Sequence, residues 1–477
     1  MEIKVSLNNE KFRYDIYQMF NIFFTFHDIS FVKEGEDFSV VIEDNQVYLK
    51  YKTSSYTESL DNEGTKEQIK RFIFKVLSDI TGDKYPWGTM VGIRPSKIAF
   101  NLLEKDKNEQ EIVDYYKKNY LASEEKARLC LEVARYEQKL VNREEKNISI
   151  YIGMPFCPTR CLYCSFASNP ISGCKSLVDP YLNALSFEIK KIKEYISQKG
   201  LNIETVYFGG GTPTAVDNEQ FEILMEQIYE GFIKERGVKE FTVECGRPDS
   251  ITKKKLEAMK RFQVTRISIN PQTMNDDTLK GIGRNHSVED VIEKFSLARE
   301  LGFDNINMDI IVGLPNEGLN YIRKTCDNIF KLNPESLTVH GMSIKRASKL
   351  HENLVLKQEV SIPLQKELNE MYEETKNLAE QLDMHPYYMY RQKNMVGNME
   401  NVGYSKEGKE CVYNIQMIED KQTIIALGAD AVSKVVFLEE NRIERFGNVK
   451  DVKEYVNRVE EMVEGKITLL NTLYNKY

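Results

Sequence analysis

Residues 148–166 read ISIYIGMPFCPTRCLYCSF, and this stretch decides the fold class. Its first part, ISIYIG at 148–153, has the β-branched and aromatic residues of a strand. Three cysteines follow at once in a CxxxCxxC pattern, at Cys157, Cys161 and Cys164. Thiolates are soft ligands that select iron–sulfur clusters, zinc or copper. The stretch therefore predicts a strand followed by a metal-binding loop.

Strand-like runs that alternate with helix-length segments continue after this first strand. Five more short strand-like runs occur, each followed by a segment of helical length, at 205–210, 241–245, 266–270, 305–312 and 336–341. Alternation of this kind predicts parallel strands joined by right-handed crossover helices. Six units are too few for a closed eight-stranded barrel. The sequence therefore predicts an open, partial (β/α)6 barrel whose chemistry lies at the C-terminal ends of the strands.

The regions on either side of the barrel mix strands and helices. Residues 2–53 read as strands with a hairpin across Asp44-Asn45, and helices are predicted at 64–81, 108–118, 123–141, 363–382 and near 450–464. The segment at 86–97 holds the one Trp of the chain and predicts an ordered loop packed on another surface, with a plain linker as the alternative. The fold class is thus α/β, with an α+β N-terminal domain at 1–145, the barrel at 146–383 and a small α+β C-terminal domain at 384–477.

The composition excludes several classes of partner. The 65 basic and 73 acidic residues give a net charge of −8, which offers no attraction for nucleic acid or an acidic membrane. Residues 1–17 are too charged for a signal peptide, and no run approaches the roughly 18 apolar residues of a membrane span. Eight cysteines, three of them in one loop, do not resemble a secreted disulfide framework. We expect a cytoplasmic protein with neither a nucleic-acid nor a membrane partner.

The number of clustered cysteines narrows the choice of metal centre. Structural zinc usually takes four ligands in two close pairs, and the other five cysteines are isolated, at 130, 174, 245, 326 and 411. A cluster of four irons normally takes four thiolates. Three thiolates would leave one iron free to bind a small molecule.

These motifs together resemble a known superfamily. The CxxxCxxC loop after strand one and GGGTP at 209–213 after strand two resemble the radical S-adenosylmethionine (SAM) superfamily. The words YIGMPFC, TVEC, RISINPQT, GRNH and MDIIVGLP are similar to the oxygen-independent coproporphyrinogen III oxidase-like group, while VGIRPSK and YRQKNMVGNMENVGY resemble its coproporphyrinogen dehydrogenase branch. The resemblance implies a radical SAM barrel with a [4Fe–4S] cluster on the three cysteines. It also implies that the free iron chelates SAM, which one electron cleaves to a 5′-deoxyadenosyl radical.

The resemblance also assigns residues that contact SAM. Gly210, Gly211 and Thr212 belong to the segment that lets the backbone approach the methionine amino group. The other assigned positions are Glu244 as a SAM contact, Gln272 and Asp309 for the ribose hydroxyls, Arg284 for the SAM carboxylate, and Tyr151, Tyr163, Ser343 and Val432 near the adenosyl group. For Glu244 and Arg284, solvated surface side chains are the alternative.

The implied function is oxidative decarboxylation of two coproporphyrinogen III propionates to vinyl groups. This gives protoporphyrinogen IX for haem synthesis, with a flavodoxin- or ferredoxin-type electron donor. Two alternatives stay open: a haem chaperone and a radical SAM enzyme that opens haem anaerobically. Chaperones carry His-Asn where this chain has Tyr413-Asn414. Lys345 and Arg346 are candidate partners for propionates, with a solvated basic turn as the alternative. His340 is a candidate substrate contact, with a satisfied core or rim histidine as its alternative.

Two positions depart from the family pattern. Gly153 stands where the family usually has a His, and Phe166 stands where the oxidase has a further Cys. The first departure bears on substrate handling and the second leaves the cluster ligands unchanged.

Overall fold

The structure is a computed structural model that describes residues 2–24, 28–61, 64–92, 94–164, 169–344, 348, 361–392 and 395–475. Lys345, Arg346 and Phe166, which the sequence analysis singled out, lie outside these ranges. No helix in the described ranges combines the length and the apolar character needed to cross a membrane.

The first 81 residues form a five-stranded sheet with two helices. The strands are β1 (Glu2–Leu7), β2 (Asp28–Phe31), β3 (Phe38–Glu43), β4 (Gln46–Tyr51) and β5 (Ser54–Ser59), in the order β2-β1-β3-β4-β5, and the helices are α1 (Arg13–Phe23) and α2 (Thr65–Thr81). The predicted hairpin is confirmed, because Asp44 and Asn45 both have positive φ, 49° and 56°, as a two-residue turn between β3 and β4 requires. The sequence analysis missed α1, whose Ile16, Met19, Phe20 and Phe23 form a buried helical stripe.

Three helices lead from this unit to the barrel. They are α3 (Ser96–Leu103), α4 (Glu109–Tyr120) and α5 (Glu124–Leu140). The loop before them is ordered and packed, as predicted: Trp87 is fully buried, and its Nε1 donates a hydrogen bond of 2.6 Å to Glu400 Oε2. Lys126 of α5 lies 2.8 Å from the other carboxylate oxygen of Glu400. These contacts join the loop and α5 to the far end of the chain.

The six predicted barrel strands are present and parallel. They are β6 (Asn147–Met154), β9 (Asn202–Gly210), β10 (Glu240–Glu244), β11 (Arg266–Ser268), β12 (Ile306–Val312) and β13 (Ser336–Gly341), which lie side by side in that order. Two-residue strands β7 (Phe156–Cys157) and β8 (Asn169–Pro170) sit in the loop after β6. The connecting helices are α6 (Lys175–Lys199), α7 (Asn218–Ile228), α8 (Lys253–Arg261), α9 (Asp276–Gly281), α10 (Val288–Glu300) and α11 (Leu319–Leu332).

The rest of the chain extends both edges of the barrel sheet. After α12 (Gln365–Gln381) come β14 (His385–Tyr390), β15 (Asn401–Ser405), α13 (Val412–Glu419), β16 (Thr423–Leu427), β17 (Val432–Phe437), β18 (Arg442–Gly447), α14 (Val452–Asn457) and α15 (Val459–Tyr474). At one edge β15 pairs antiparallel with β13, and at the other β16 pairs parallel with β6. A seventh parallel strand therefore flanks the first barrel strand, and the predicted boundaries after residues 145 and 383 stay predictions.

Candidate active site

The cysteine loop lies at the C-terminal end of β6, where the sequence predicted the chemistry. Its backbone turns tightly, with the Cys164 N–H donating to the Cys161 carbonyl at 3.2 Å. The Leu162 N–H donates to the Ile282 carbonyl at 2.9 Å, and Thr159 Oγ1 donates to the Gly283 carbonyl at 2.9 Å. The loop is thus fastened to the segment that follows α9.

The glycine-rich segment after β9 packs directly against this loop. The Gly211 N–H donates to the Met154 carbonyl at 2.6 Å and the Thr212 N–H to the Phe156 carbonyl at 2.8 Å. A Cβ on Gly211 would lie 2.6 Å from the Phe156 oxygen and 3.0 Å from Cys157 Sγ, so this close approach requires glycine. Gly210 has φ of 100°, which also favours glycine. Thr212 Oγ1 donates to Cys157 Sγ at 3.5 Å.

The spacing of the three thiols is compatible with a multi-iron cluster. Their Sγ atoms do not all lie within 4.8 Å of one another. A tetrahedral zinc with 2.3 Å bonds would hold them about 3.8 Å apart, whereas a cubane places each thiolate on a different iron. Burial raises the pKa of the Cys157 thiol to about 11, so a bound cation is needed to keep it a thiolate at neutral pH.

A different group meets the 4.8 Å spacing, His385 with Glu407 and Glu410. It lies near the N-terminal ends of the strands, because His385 pairs with Ser405, which pairs with the first residue of β13. His385 Nε2 is 2.9 Å from Glu410 Oε1, and the ring stacks on Tyr136 at 3.8 Å. These contacts account for His385 and Glu410 as a structural hydrogen-bonded pair away from the cysteine loop.

Arg284 is buried, which contradicts the alternative of a surface arginine. Its Nη1 donates to the Asn270 carbonyl at 2.8 Å and to the Gly246 carbonyl at 3.1 Å, and its Nη2 donates to Tyr163 OH at 3.1 Å. The Nε atom is buried without a hydrogen-bond partner. A buried N–H in this state needs an acceptor, and a ligand carboxylate would supply one.

Two predicted carboxylates face each other across the barrel interior. Tyr207 OH donates a hydrogen bond to Glu244, and burial raises the pKa of Glu244 to about 7. For Asp309, burial acts to raise the pKa, but His340, 3.5 Å away, together with other hydrogen bonds, lowers it overall. His340 Nδ1 also lies 3.4 Å from Tyr390 OH. The interior thus holds one carboxyl that titrates near neutrality beside one that stays ionised.

Of the remaining predicted residues, Gln272 and Tyr151 contact residues of this interior, whereas Val432 is half-exposed. Gln272 has φ of 68°, and its backbone bridges to β12, with its N–H donating to the Asp309 carbonyl at 2.9 Å. The Tyr151 ring stacks with the rings of Tyr207 and Tyr413. The ring centroids of Tyr207 and Tyr413 are 4.4 Å apart. Ser343 is buried and forms an isolated bridge to Met395, while Val432 begins β17 and is 49% exposed.

Sequence reasoning missed Arg247, which the structure brings to the cysteine loop. It is 3% exposed, and its Nη1 lies 3.7 Å from Cys161 Sγ. Asp249 holds the guanidinium through two bonds of 2.9 and 2.8 Å. The available signal was the charged pair in GRPD directly after strand three, at the barrel end that carries the chemistry.

Comparison with known proteins agrees with this geometry. The family model for the radical SAM superfamily matches residues 151–329. The oxygen-independent coproporphyrinogen-III oxidase-like protein HemZ of Bacillus subtilis is 39% identical over 432 residues, covering 90% of this chain and 86% of that protein. Heme chaperone HemW of the same organism is 32% identical over 313 residues, covering 66% of this chain and 76% of that protein.

A solved structure shares the fold. Coproporphyrinogen III oxidase (HemN) from Escherichia coli superposes with a TM-score of 0.53 at 21% identity, over 69% of this chain and 72% of that one. The barrel and the three-cysteine loop define a radical SAM protein. Within that superfamily the chain belongs to the oxygen-independent coproporphyrinogen-III oxidase-like group. Membership implies a [4Fe–4S] cluster and SAM as cofactors.

Proposed function

We propose that the protein converts two propionate side chains of coproporphyrinogen III to vinyl groups, yielding protoporphyrinogen IX. In each conversion a propionate loses one hydrogen atom, one electron and carbon dioxide, and a carbon–carbon double bond remains. When bound, the cluster and SAM would supply the 5′-deoxyadenosyl radical that takes the hydrogen atom. The electron passes to an acceptor outside the chain, and a flavodoxin- or ferredoxin-type protein is the proposed donor of reducing power.

The observation that carries this proposal is the environment of Tyr413. This residue occupies the position at which the chaperone branch carries His, a common ligand of haem iron. Its ring is buried and stacks on Tyr207, and burial raises the pKa of the phenol well above its ordinary value. A neutral phenol is a poor ligand for iron. This environment favours an iron-free porphyrinogen over haem as the tetrapyrrole that the site binds.

The protein's own share is to bind and orient the reactants. Cys157, Cys161 and Cys164 would hold the cluster, and the unpaired Nε–H of Arg284 would donate a hydrogen bond to the carboxylate of SAM. Glu244, at the end of β10, and Asp309, in the middle of β12, would offer carboxyl groups to polar atoms of SAM.

The substrate would occupy the mouth of the barrel beside SAM. His340, on β13 between Asp309 and Tyr390, is a partly exposed group at that mouth. Lys345 and Arg346 follow β13 in sequence and remain candidate partners for the propionate carboxylates.

The test is anaerobic turnover by the reconstituted protein with SAM, dithionite, an electron acceptor and coproporphyrinogen III. We expect about four irons per chain and formation of 5′-deoxyadenosine, carbon dioxide and the mono- and divinyl products. Cys161→Ser should abolish both iron binding and turnover. Cys326→Ser is the matched control, because this buried thiol lies on α11 and should leave both unchanged.

Two other outcomes would replace this proposal. Tight stoichiometric binding of haem, with SAM cleavage and no vinyl product, would indicate a chaperone. Release of iron from haem together with a linear tetrapyrrole would indicate haem degradation.

A further inference from the structure

Arg247 is buried beside the cysteine loop. It follows β10, and the residue is 3% exposed. Asp249 accepts from Nε at 2.9 Å and from Nη2 at 2.8 Å, a two-bond pairing that fixes the plane of the guanidinium. The position of the third nitrogen is therefore determined by the fold.

That third nitrogen, Nη1, is directed at the cysteine loop. It lies 2.9 Å from Thr159 Oγ1, 3.4 Å from the Thr159 carbonyl and 3.7 Å from Cys161 Sγ. The distance to sulfur is that of an N–H···S hydrogen bond. The neighbouring ligand Cys157 has a different contact, because it accepts a hydrogen bond from the neutral hydroxyl of Thr212.

The groups around Arg247 leave its positive charge only partly compensated near sulfur. Asp249 binds the far side of the guanidinium, and it is also 3.9 Å from His286 Nδ1. Arg284, a second buried cation, donates to Tyr163 on the same loop. The side of the loop that carries Cys161 therefore faces positive charge.

We propose that Arg247 acts through Cys161, donating a charge-assisted hydrogen bond to this ligand sulfur and so raising the reduction potential of the cluster. The inference rests on the cluster in the proposed function, but not on the identity of the substrate. Hydrogen bonds to ligand sulfurs are a main determinant of iron–sulfur potentials. A reduced cluster carries one more negative charge than an oxidised one, so a nearby cation stabilises the reduced form more. The protein thereby eases the one-electron reduction that precedes SAM cleavage.

The test is a redox titration of the reconstituted full chain, followed by the electron paramagnetic resonance signal of the reduced cluster, without SAM or substrate. In Arg247→Gln we expect the ratio of reduced to oxidised cluster at a fixed potential to fall about tenfold, which is 59 mV for a one-electron couple. Arg247→Lys keeps the charge without the two-bond pairing and should fall between. Arg323→Gln is the control, because this half-exposed arginine pairs with Glu374 on the outer helices.

The iron content separates the possible failures. An unchanged potential in Arg247→Gln with full iron would overturn the inference. Loss of iron in Arg247→Gln but not in Arg247→Lys would also overturn it, since Arg247 would then only support the loop. A shifted potential in a protein that makes no vinyl product would support the inference while the proposed function fails.

Discussion

At the scale of single residues, Glu244 couples the site to pH. Burial raises its pKa from 4.5 to about 7, so the folded protein without SAM disfavours the ionised carboxylate. Below pH 4.5 the group is protonated in both the folded and the unfolded chain and costs nothing. As the pH rises to 7, the unfolded chain ionises first, and the free energy of unfolding falls by roughly 3 kcal/mol.

Replacing this carboxyl with an amide should therefore stabilise the SAM-free protein above pH 7. We expect Glu244→Gln to unfold with a free energy about 3 kcal/mol above the wild type at pH 8 and less than about 1 kcal/mol above it at pH 5. Urea unfolding at the two pH values measures the difference. Glu257→Gln, at a half-exposed position on α8, should show no such pH dependence. An equal difference at both pH values would contradict the shifted pKa.

Site residues that the sequence predicts meet local requirements, whereas those it misses depend on contacts across the fold. The three cysteines and the glycine segment were predictable because each fulfils a local requirement: ligand chemistry on one loop, or a backbone approach that excludes a Cβ. Arg247 was not, because its role depends on which sulfur lies 3.7 Å away across the fold. Tyr207 likewise becomes significant only through its hydrogen bond to Glu244, which sits on the neighbouring strand.

At the scale of elements, the helix α13 places Tyr413 in the barrel interior. The carboxylate of Glu240, on β10, binds the N-terminal end of this helix. Glu240 accepts hydrogen bonds from the Val412 N–H at 2.6 Å, the Tyr413 N–H at 3.5 Å and the Cys411 thiol at 3.3 Å. A buried carboxylate at a helix N-terminus satisfies free N–H groups and complements the helix dipole. The position of the tyrosine stack therefore depends on β10.

Neutralising this carboxylate should loosen the helix. We expect Glu240→Gln to lower the free energy of unfolding by about 1–3 kcal/mol, because charge-assisted bonds to a buried helix end become neutral ones. Asp217→Asn, which alters the exposed cap of α7, should cost only a few tenths of a kcal/mol since Asn caps as well as Asp. Urea unfolding compares the two. Equal small losses would show that the charge of Glu240 contributes nothing.

The parallel strands were predictable as elements because β-branched runs report burial on both faces of a sheet. The pairing of β16 with β6 was not, since two strands about 275 residues apart in sequence share no local pattern. The helix α1 was missed for another reason. Its Tyr and Phe residues favour strands by propensity. The helix forms because Ile16, Met19, Phe20 and Phe23, which have helical spacing, pack on α2 and the sheet.

At the scale of the whole molecule, buried apolar side chains form two large separate cores. One includes residues from Ile3 to Tyr85, and the other begins at Trp87 and runs through the barrel to Tyr474. Helices α3, α4 and α5 thus pack in the same core as the barrel strands. Arg94 adds ion pairs with Glu419 and Asp420 at the end of α13. The boundary predicted after residue 145 stays a prediction, and the division between the two apolar cores offers a second candidate boundary near residue 85.

Two truncations distinguish these boundaries. We expect residues 86–477 to stay folded and to bind iron, because they retain the entire second core, including Trp87 and Lys126 around Glu400. Residues 146–477 should aggregate, since removing α3 to α5 exposes apolar side chains and leaves Glu400 buried without its cation. Cooperative thermal unfolding and iron content after reconstitution measure both. A soluble, iron-binding 146–477 fragment would instead support the boundary after residue 145, with the first 145 residues as an independent domain.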